Sequence, residues 1–284
     1  MIGRKYIVIY LCLSLLKMAA QVGVGAPGKY AGVFSAANCF KQSNYLPGFK
    51  PDSLKANYIM KGVRIWRSVS LENKQNELVL NDGVHCSNIG LFEIIKFGIF
   101  EKQLNVFSSD DFNEANTTRL SRDLILKMIT SGDSSAVPAF DANGEPTKEI
   151  STSKKYLMGG DIKCFLVKED WITNSNSGKT EKYIIGLAPL VYDVKTEKTT
   201  ALFWLYYPEW KALFAAFTAK NLYAYEPVSF EGVFRKRYFV SQISKESNVF
   251  DRSVKSFNHG NDMQLESELI KEKLNNAESD LFQY

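Results

Sequence analysis

Three stretches of the chain, residues 162–171 (IKCFLVKEDW), 183–191 (YIIGLAPLV) and 201–207 (ALFWLYY), are dense in apolar, β-branched and aromatic residues. The intervals between them, 173–180 (TNSNSGKT) and 193–200 (DVKTEKTT), are short and almost wholly polar. That alternation of strand-like runs and turn-rich intervals predicts antiparallel hairpins or a meander. Pro208 then opens a run over 209–219, at the position where helices accept proline. The C-terminal half is therefore expected to be α+β, a mixture of helices with an antiparallel sheet.

Upstream, residues 62–70 (GVRIWRSVS) alternate as a strand does, and 88–101 (NIGLFEIIKFGIFE) have helical spacing. Residues 104–107 suit a strand, and 108–118 (SSDDFNEANTT) read as a surface loop. Leu120, Leu124, Ile125, Met128 and Ile129 mark one face of an amphipathic helix. Residues 131–155 hold Asp133, Pro138, Asn143, Gly144 and Pro146, a composition that predicts a linker or long loop. At the other end, Leu265, Leu269, Ile270, Leu274, Ala277 and Leu281 recur at three- and four-residue steps, which predicts a long amphipathic helix over 262–281 whose apolar face packs on its own domain.

The N-terminus bears on location. Arg4 and Lys5 precede an unbroken apolar run over 6–16 (YIVIYLCLSLL), and small residues follow at Ala19 and Ala20. The run is shorter than the ~20 residues a membrane span requires, but it fits the core of a signal peptide. Residues 1–20 are thus expected to be a signal peptide, 21–60 an extended arm, and 61–284 the folded region. Cys12 follows Leu11 inside the apolar run and is no lipidation site. Removing residues 1–20 takes away Arg4, Lys5 and Lys17 and no acid, which lowers the net charge from +4 to about +1 and leaves no footprint for nucleic acid. Cys39, Cys86 and Cys164 would remain, an odd set that cannot all pair within one chain.

Motifs with chemical meaning are incomplete. Gly178-Lys179-Thr180 ends like a phosphate loop, but Thr173 stands where that motif needs its first glycine, so the segment reads as a hairpin tip. His85-Cys86 is short of a metal set, the other histidine being His259. No Gly-x-Ser-x-Gly elbow is present. The acids Glu169-Asp170, Asp110-Asp111 and Glu266 with Glu268 read as solvated surface charge, because acids one apart in a strand point to opposite faces. No cofactor and no catalytic group is expected.

Six strings appear in order: 91–97 (LFEIIKF), 168–171 (KEDW), 184–189 (IIGLAP), 202–207 (LFWLYY) with Pro208-Glu209, 234–252 (FRKRYFVSQISKESNVFDR) and 265–282 (LESELIKEKLNNAESDLF). Together they resemble the GldN/PorN family, the periplasmic component of the type IX secretion and gliding-motility apparatus of Bacteroidetes bacteria. The resemblance implies a non-enzymatic ring subunit, self-associating and assembling with an outer-membrane lipoprotein, GldK/PorK, alongside the inner-membrane GldL and GldM motor proteins. It also implies a periplasmic location, with the membrane reached only through partners. The competing expectation is a secreted enzyme or carbohydrate-binding cargo protein; the charged helical C-terminus differs from the strand- and glycine-rich sorting domain of such cargo. Within 234–252, Arg235, Arg237, Tyr238, Lys245, Glu246, Phe250, Asp251 and Arg252 are the candidate partner interface, since arginine and aromatic residues are enriched at interface cores. Reversing Arg237 to Glu is expected to weaken assembly and leave the subunit folded.

Overall fold

The computed structural model of the chain describes residues 59–81, 84–85, 88–108, 118–140, 146–174, 180–193, 197–219, 227–247 and 265–272. The expected signal peptide and nearly all of the expected arm lie outside them. Thirteen strands are present among the described residues: β1 (Ile59–Ser70), β2 (Val84–His85), β3 (Asn88–Ile89), β4 (Val106–Phe107), β5 (Thr130–Phe140), β6 (Pro146–Tyr156), β7 (Ile162–Asn174), β8 (Thr180–Asp193), β9 (Lys198–Ala201), β10 (Trp204–Tyr206), β11 (Thr218–Ala219), β12 (Val228–Ser229) and β13 (Gln242–Glu246). Helices α1 (Leu91–Phe100), α2 (Arg122–Met128), α3 (Tyr207–Ala216) and α4 (Phe230–Lys236) are interspersed, a helical turn spans Lys74–Asn76, and α5 covers 265–272. The fold is α+β.

Its principal sheet runs β13-β1-β7-β8-β10-β4, with β9 also against β8. Every pairing in it is antiparallel. The first two of the three apolar runs become β7 and β8, paired from Ile162↔Val191 to Thr173↔Thr180. Thr180 thus enters a strand, not the helix a phosphate loop would feed. The third run divides at Leu202 and Phe203 between β9 and β10 before Tyr207 starts α3, with Pro208 in its first turn.

Because side chains alternate across a strand, each face of the sheet has its own set. Ile65, Arg67 and Val69 of β1 and Phe165, Val167, Glu169 and Trp171 of β7 share one face, all buried. The core includes Trp210, Phe214, Phe230 and Phe234 from α3 and α4, together with every residue of α1. Phe234 lies 5.6 Å from the ring of Tyr207, 6.2 Å from Phe214 and 5.8 Å from Phe239. Gly98 of α1 lets α3 come this close, since a Cβ there would stand 2.3 Å from Trp210. On the opposite face Trp66, Leu166, Ala188, Leu190, Trp204 and Tyr206 form a second apolar cluster.

One expectation is corrected. Residues 131–155, read as a linker or long loop, contribute paired strands: β5 and β6 are antiparallel from Thr130↔Tyr156 to Phe140↔Pro146, with register shifts on the way. The turn residues Asn143 and Gly144 fall between the strands, and the Ser- and Thr-rich flanks supply ladder donors without the apolar alternation that marks a half-buried strand. The C-terminal helix is described over 265–272 and turns Ile270 and Ser267 inward. Ile270 is buried with Ile65, Trp171 and Ile243, whereas Leu265 and Leu269 are 58% and 49% exposed. Its second anchor is polar, the buried Ser267 hydroxyl accepting the Ile243 N–H at 2.7 Å along the outer edge of β13. No helix among the described residues is long and apolar enough to cross a membrane.

Candidate functional site

Glu169 occupies the inward position of β7 after Phe165 and Val167, and its side chain is fully buried. A lone ionised carboxylate there would be costly, so three donors meet it. Arg237 Nη1 reaches Oε1 at 2.5 Å, and Arg67 Nε and Trp171 Nε1 each reach Oε2 at 3.0 Å. Burial alone would raise the carboxyl's pKa. The guanidinium of Arg67, then that of Arg237, outweighs burial and, with the hydrogen bonds from Arg237 and Trp171, holds Glu169 below the usual carboxylate value. Its neighbour Asp170 points to the opposite face, where Arg64 grips it through Nε at 2.6 Å and Nη2 at 2.7 Å. The two acids do diverge as adjacent strand residues must, but Glu169 is not the solvated surface charge its sequence neighbourhood suggests. The arginines that neutralise it come from β1 and from the end of α4, far away in sequence.

The backbone around Arg237 is built to aim it. Ser229 caps the start of α4, its hydroxyl accepting the Gly232 N–H at 3.1 Å. At the other end Arg237 adopts the left-handed conformation, φ 56° and ψ 44°, and Tyr238 N–H closes on the Val233 carbonyl at 3.0 Å. Glycine is the residue this position ordinarily favours, so an arginine here accepts backbone strain in return for its contact with Glu169. Farther on, buried Asn76 fixes Val240 from both sides, accepting its N–H and donating to its carbonyl, each at 2.8 Å.

A cavity of about 400 Å³ opens beside this cluster. Arg67, Trp171, Lys182, Arg237, Val240 and Lys271 line it, from β1, β7, β8, the segment after α4, and α5. Lys182 Nζ stands 4.0 Å above the Trp171 ring and Arg67 Cζ 5.5 Å from the same ring, so the indole is flanked by cations. On the far face a wider groove of about 510 Å³ is lined by Trp66, Ser68, Cys164, Leu166, Leu190 and Lys245.

The family model for "Gliding motility associated protein GldN" matches residues 54–283, which takes in every element just described. The chain belongs to the GldN family. No curated protein matches it. This GldN-family chain is therefore a component of the gliding-motility and type IX secretion machinery, and its family is not one of known enzymes.

The candidate interface residues of the GldN-family chain divide between the two faces. Arg235 is exposed on α4 and pairs with Glu231 one turn back at 3.3 Å. Tyr238 is 40% exposed, its ring 5.6 Å from Lys236 Nζ. Arg237 faces inward to Glu169. Lys245 lies across the sheet, its Nζ 4.7 Å from the Trp66 ring, while Glu246 sits opposite Ile65 on β13. Phe250, Asp251 and Arg252 fall outside the described residues. Since Arg237 neutralises a buried acid, its reversal to Glu would set two carboxylates together and act on the fold as well as on any partner. Sequence reading passed over Arg67, Lys182 and Lys271, which no local pattern joins. Glu169 did carry a signal, its parity with Phe165, Val167 and Trp171 on one strand face.

Proposed function

We propose that this chain is a non-enzymatic structural subunit of a periplasmic ring in the type IX secretion and gliding machinery. It self-associates, is held to the outer membrane by a lipoprotein of the GldK/PorK kind, and works beside inner-membrane partners of the GldL and GldM kind. Residues 1–20 serve as its export signal and are removed. The observation that carries this reading is the family match across 54–283. The chemistry of Glu169 supports it. A carboxylate held ionised by two guanidiniums and an indole is a counter-ion, poorly placed to accept a proton from a substrate. Part of 235–246 provides partner-facing surface, its exposed or half-exposed candidates being Arg235 and Tyr238 on one side of the sheet and Lys245 on the other.

Fractionating cells that carry the tagged native protein tests the reading. The protein should stay with the envelope, co-purify with a lipoprotein, and have an intact mass that starts at or near Gln21. Recovery from the culture medium, or a retained Met1 in envelope material, would overturn it.

A further inference from the structure

The two ends of the principal sheet are closed by different means. At β4 the neighbour is main chain: Ser108 N–H meets the Thr118 carbonyl at 3.0 Å, Leu120 N–H meets the Val106 carbonyl at 2.9 Å, and Phe107 bridges to Arg119. At β13 the neighbour is a helix. Ile243 N–H donates to the Ser267 hydroxyl of α5 at 2.7 Å, and Ile270 of the same helix packs with Ile243, Ile65 and Trp171. Thus α5 lies on the edge of the terminal strand, where main-chain groups invite pairing with another chain. A register shift between Trp66 and Arg67 leaves Ser244 without an opposite residue on β1, and its hydroxyl donates to the Trp66 carbonyl at 3.1 Å. This bulge bends β13 just beyond Ile243, whose amide is still spent on α5 and not on a strand.

We propose that α5 guards the β13 edge against a second copy of this chain: while the helix is seated, copies cannot pair through β13, and when it is lifted two of them join there as antiparallel strands. The proposal rests on the self-association reading above and names a surface that α5 withholds from it. The Ile243 amide selects a backbone as the replacement, since a buried donor needs an acceptor and the carbonyl of an added strand supplies one where the Ser267 hydroxyl does now. A second copy is the strand that fits, because an antiparallel edge matches itself after a half-turn and every molecule carries one.

The test compares the purified full chain with the double variant Ser267→Ala/Ile270→Ala, which removes the hydroxyl and the isoleucine that α5 sets against β13. Sedimentation velocity is run over a wide range of protein concentration, with hydrogen exchange at the Ile243 amide followed in the same samples. The variant should form a species of about twice the parent's mass. Its Ile243 amide should exchange fast in dilute solution and slow down as concentration rises, because the added strand then protects it. A variant that keeps the parent's mass at every concentration overturns the proposal, since the edge then needs no guard. One that gains mass while Ile243 still exchanges fast also overturns it, since association then runs through another surface. If the double variant loses its far-UV signature, Ser267→Ala alone, which keeps Ile270, is measured by both methods and the same outcomes decide. Envelope fractionation judges the assembly reading separately: recovery of the protein from the culture medium would remove the ring and leave the edge measurements as they are.

Discussion

Glu169 and Arg237 are each an exception at their own position, and each explains the other. A buried acid in a strand core requires counter-charge, and an arginine in the left-handed region requires a reason not to be glycine. Replacing Glu169 by Gln removes the charge but not the volume, leaving Arg67, itself 7% exposed, without its counter-ion; the expected loss is about 3 kcal/mol in urea unfolding. The same comparison carries a pH signature. Because the folded carboxyl titrates below its unfolded value, its contribution is complete above the ordinary Glu range. As pH falls, the unfolded chain takes up the proton first, and stability drops until the folded carboxyl titrates too. Urea midpoints between about pH 7 and pH 3 should therefore decline less steeply for Glu169→Gln than for the parent protein. Arg237 separates side chain from backbone. Arg237→Ala and Arg237→Gly both lose the ion pair, but glycine is relieved of the left-handed strain and should be the more stable of the two by about 1 kcal/mol. Equal melting points would show that the strained conformation is not maintained without the arginine.

Among the elements, α1 and α5 are opposite cases. All ten residues of α1 are buried, including Glu93 and Lys96, which pair at 2.7 Å while Lys96 also donates to the Leu157 carbonyl at 2.9 Å. Its apolar spacing was visible as a helix in the sequence, but no periodicity shows that its charged residues are buried as well. Burial depresses the Lys96 pKa despite the opposing pull of Glu93. Gly98 is the contact through which α1 meets α3. Gly98→Ala should cost about 1–3 kcal/mol, because Trp210 is fully buried and its indole N–H is tied to the Asn105 carbonyl at 3.1 Å, leaving it little room to retreat. In α5 a single buried isoleucine and one hydroxyl hold the helix to the sheet edge. Ile270→Ala should loosen this attachment without unfolding the domain, seen as faster hydrogen exchange at the Ile243 amide that Ser267 accepts. Unchanged exchange there would mean that α5 is held elsewhere.

Across the whole molecule, the sheet separates two surfaces that lie side by side in sequence. Arg235 is on the helix-bearing side and Lys245 on the side of Trp66, so one continuous partner surface cannot engage both. Of Arg235→Glu and Lys245→Glu, no more than one should reduce recovery of the envelope complex by over ~1 kcal/mol in apparent affinity, judged by co-purification at matched expression. If both do so equally, the protein contacts partners on two sides, as a subunit wedged between neighbours would. Local pattern was enough to determine the strands β1, β7 and β8, the helices α1 and α3, the α+β class and, through ordered strings, the family. These features rest on alternation and helical spacing among near neighbours, which a linear sequence displays directly. The β5–β6 pair escaped because its Ser- and Thr-rich sequence shows no apolar alternation. Tertiary structure alone decided that Glu169 is a buried counter-ion, that Arg237 turns inward, and that Arg67, Lys182 and Lys271 surround one cavity. Those residues reach one another only when antiparallel pairing brings β1, β7 and β8 together and the end of α4 and the described turns of α5 come beside them. Their charges therefore take on meaning through distance in space, which separation along the chain does not encode.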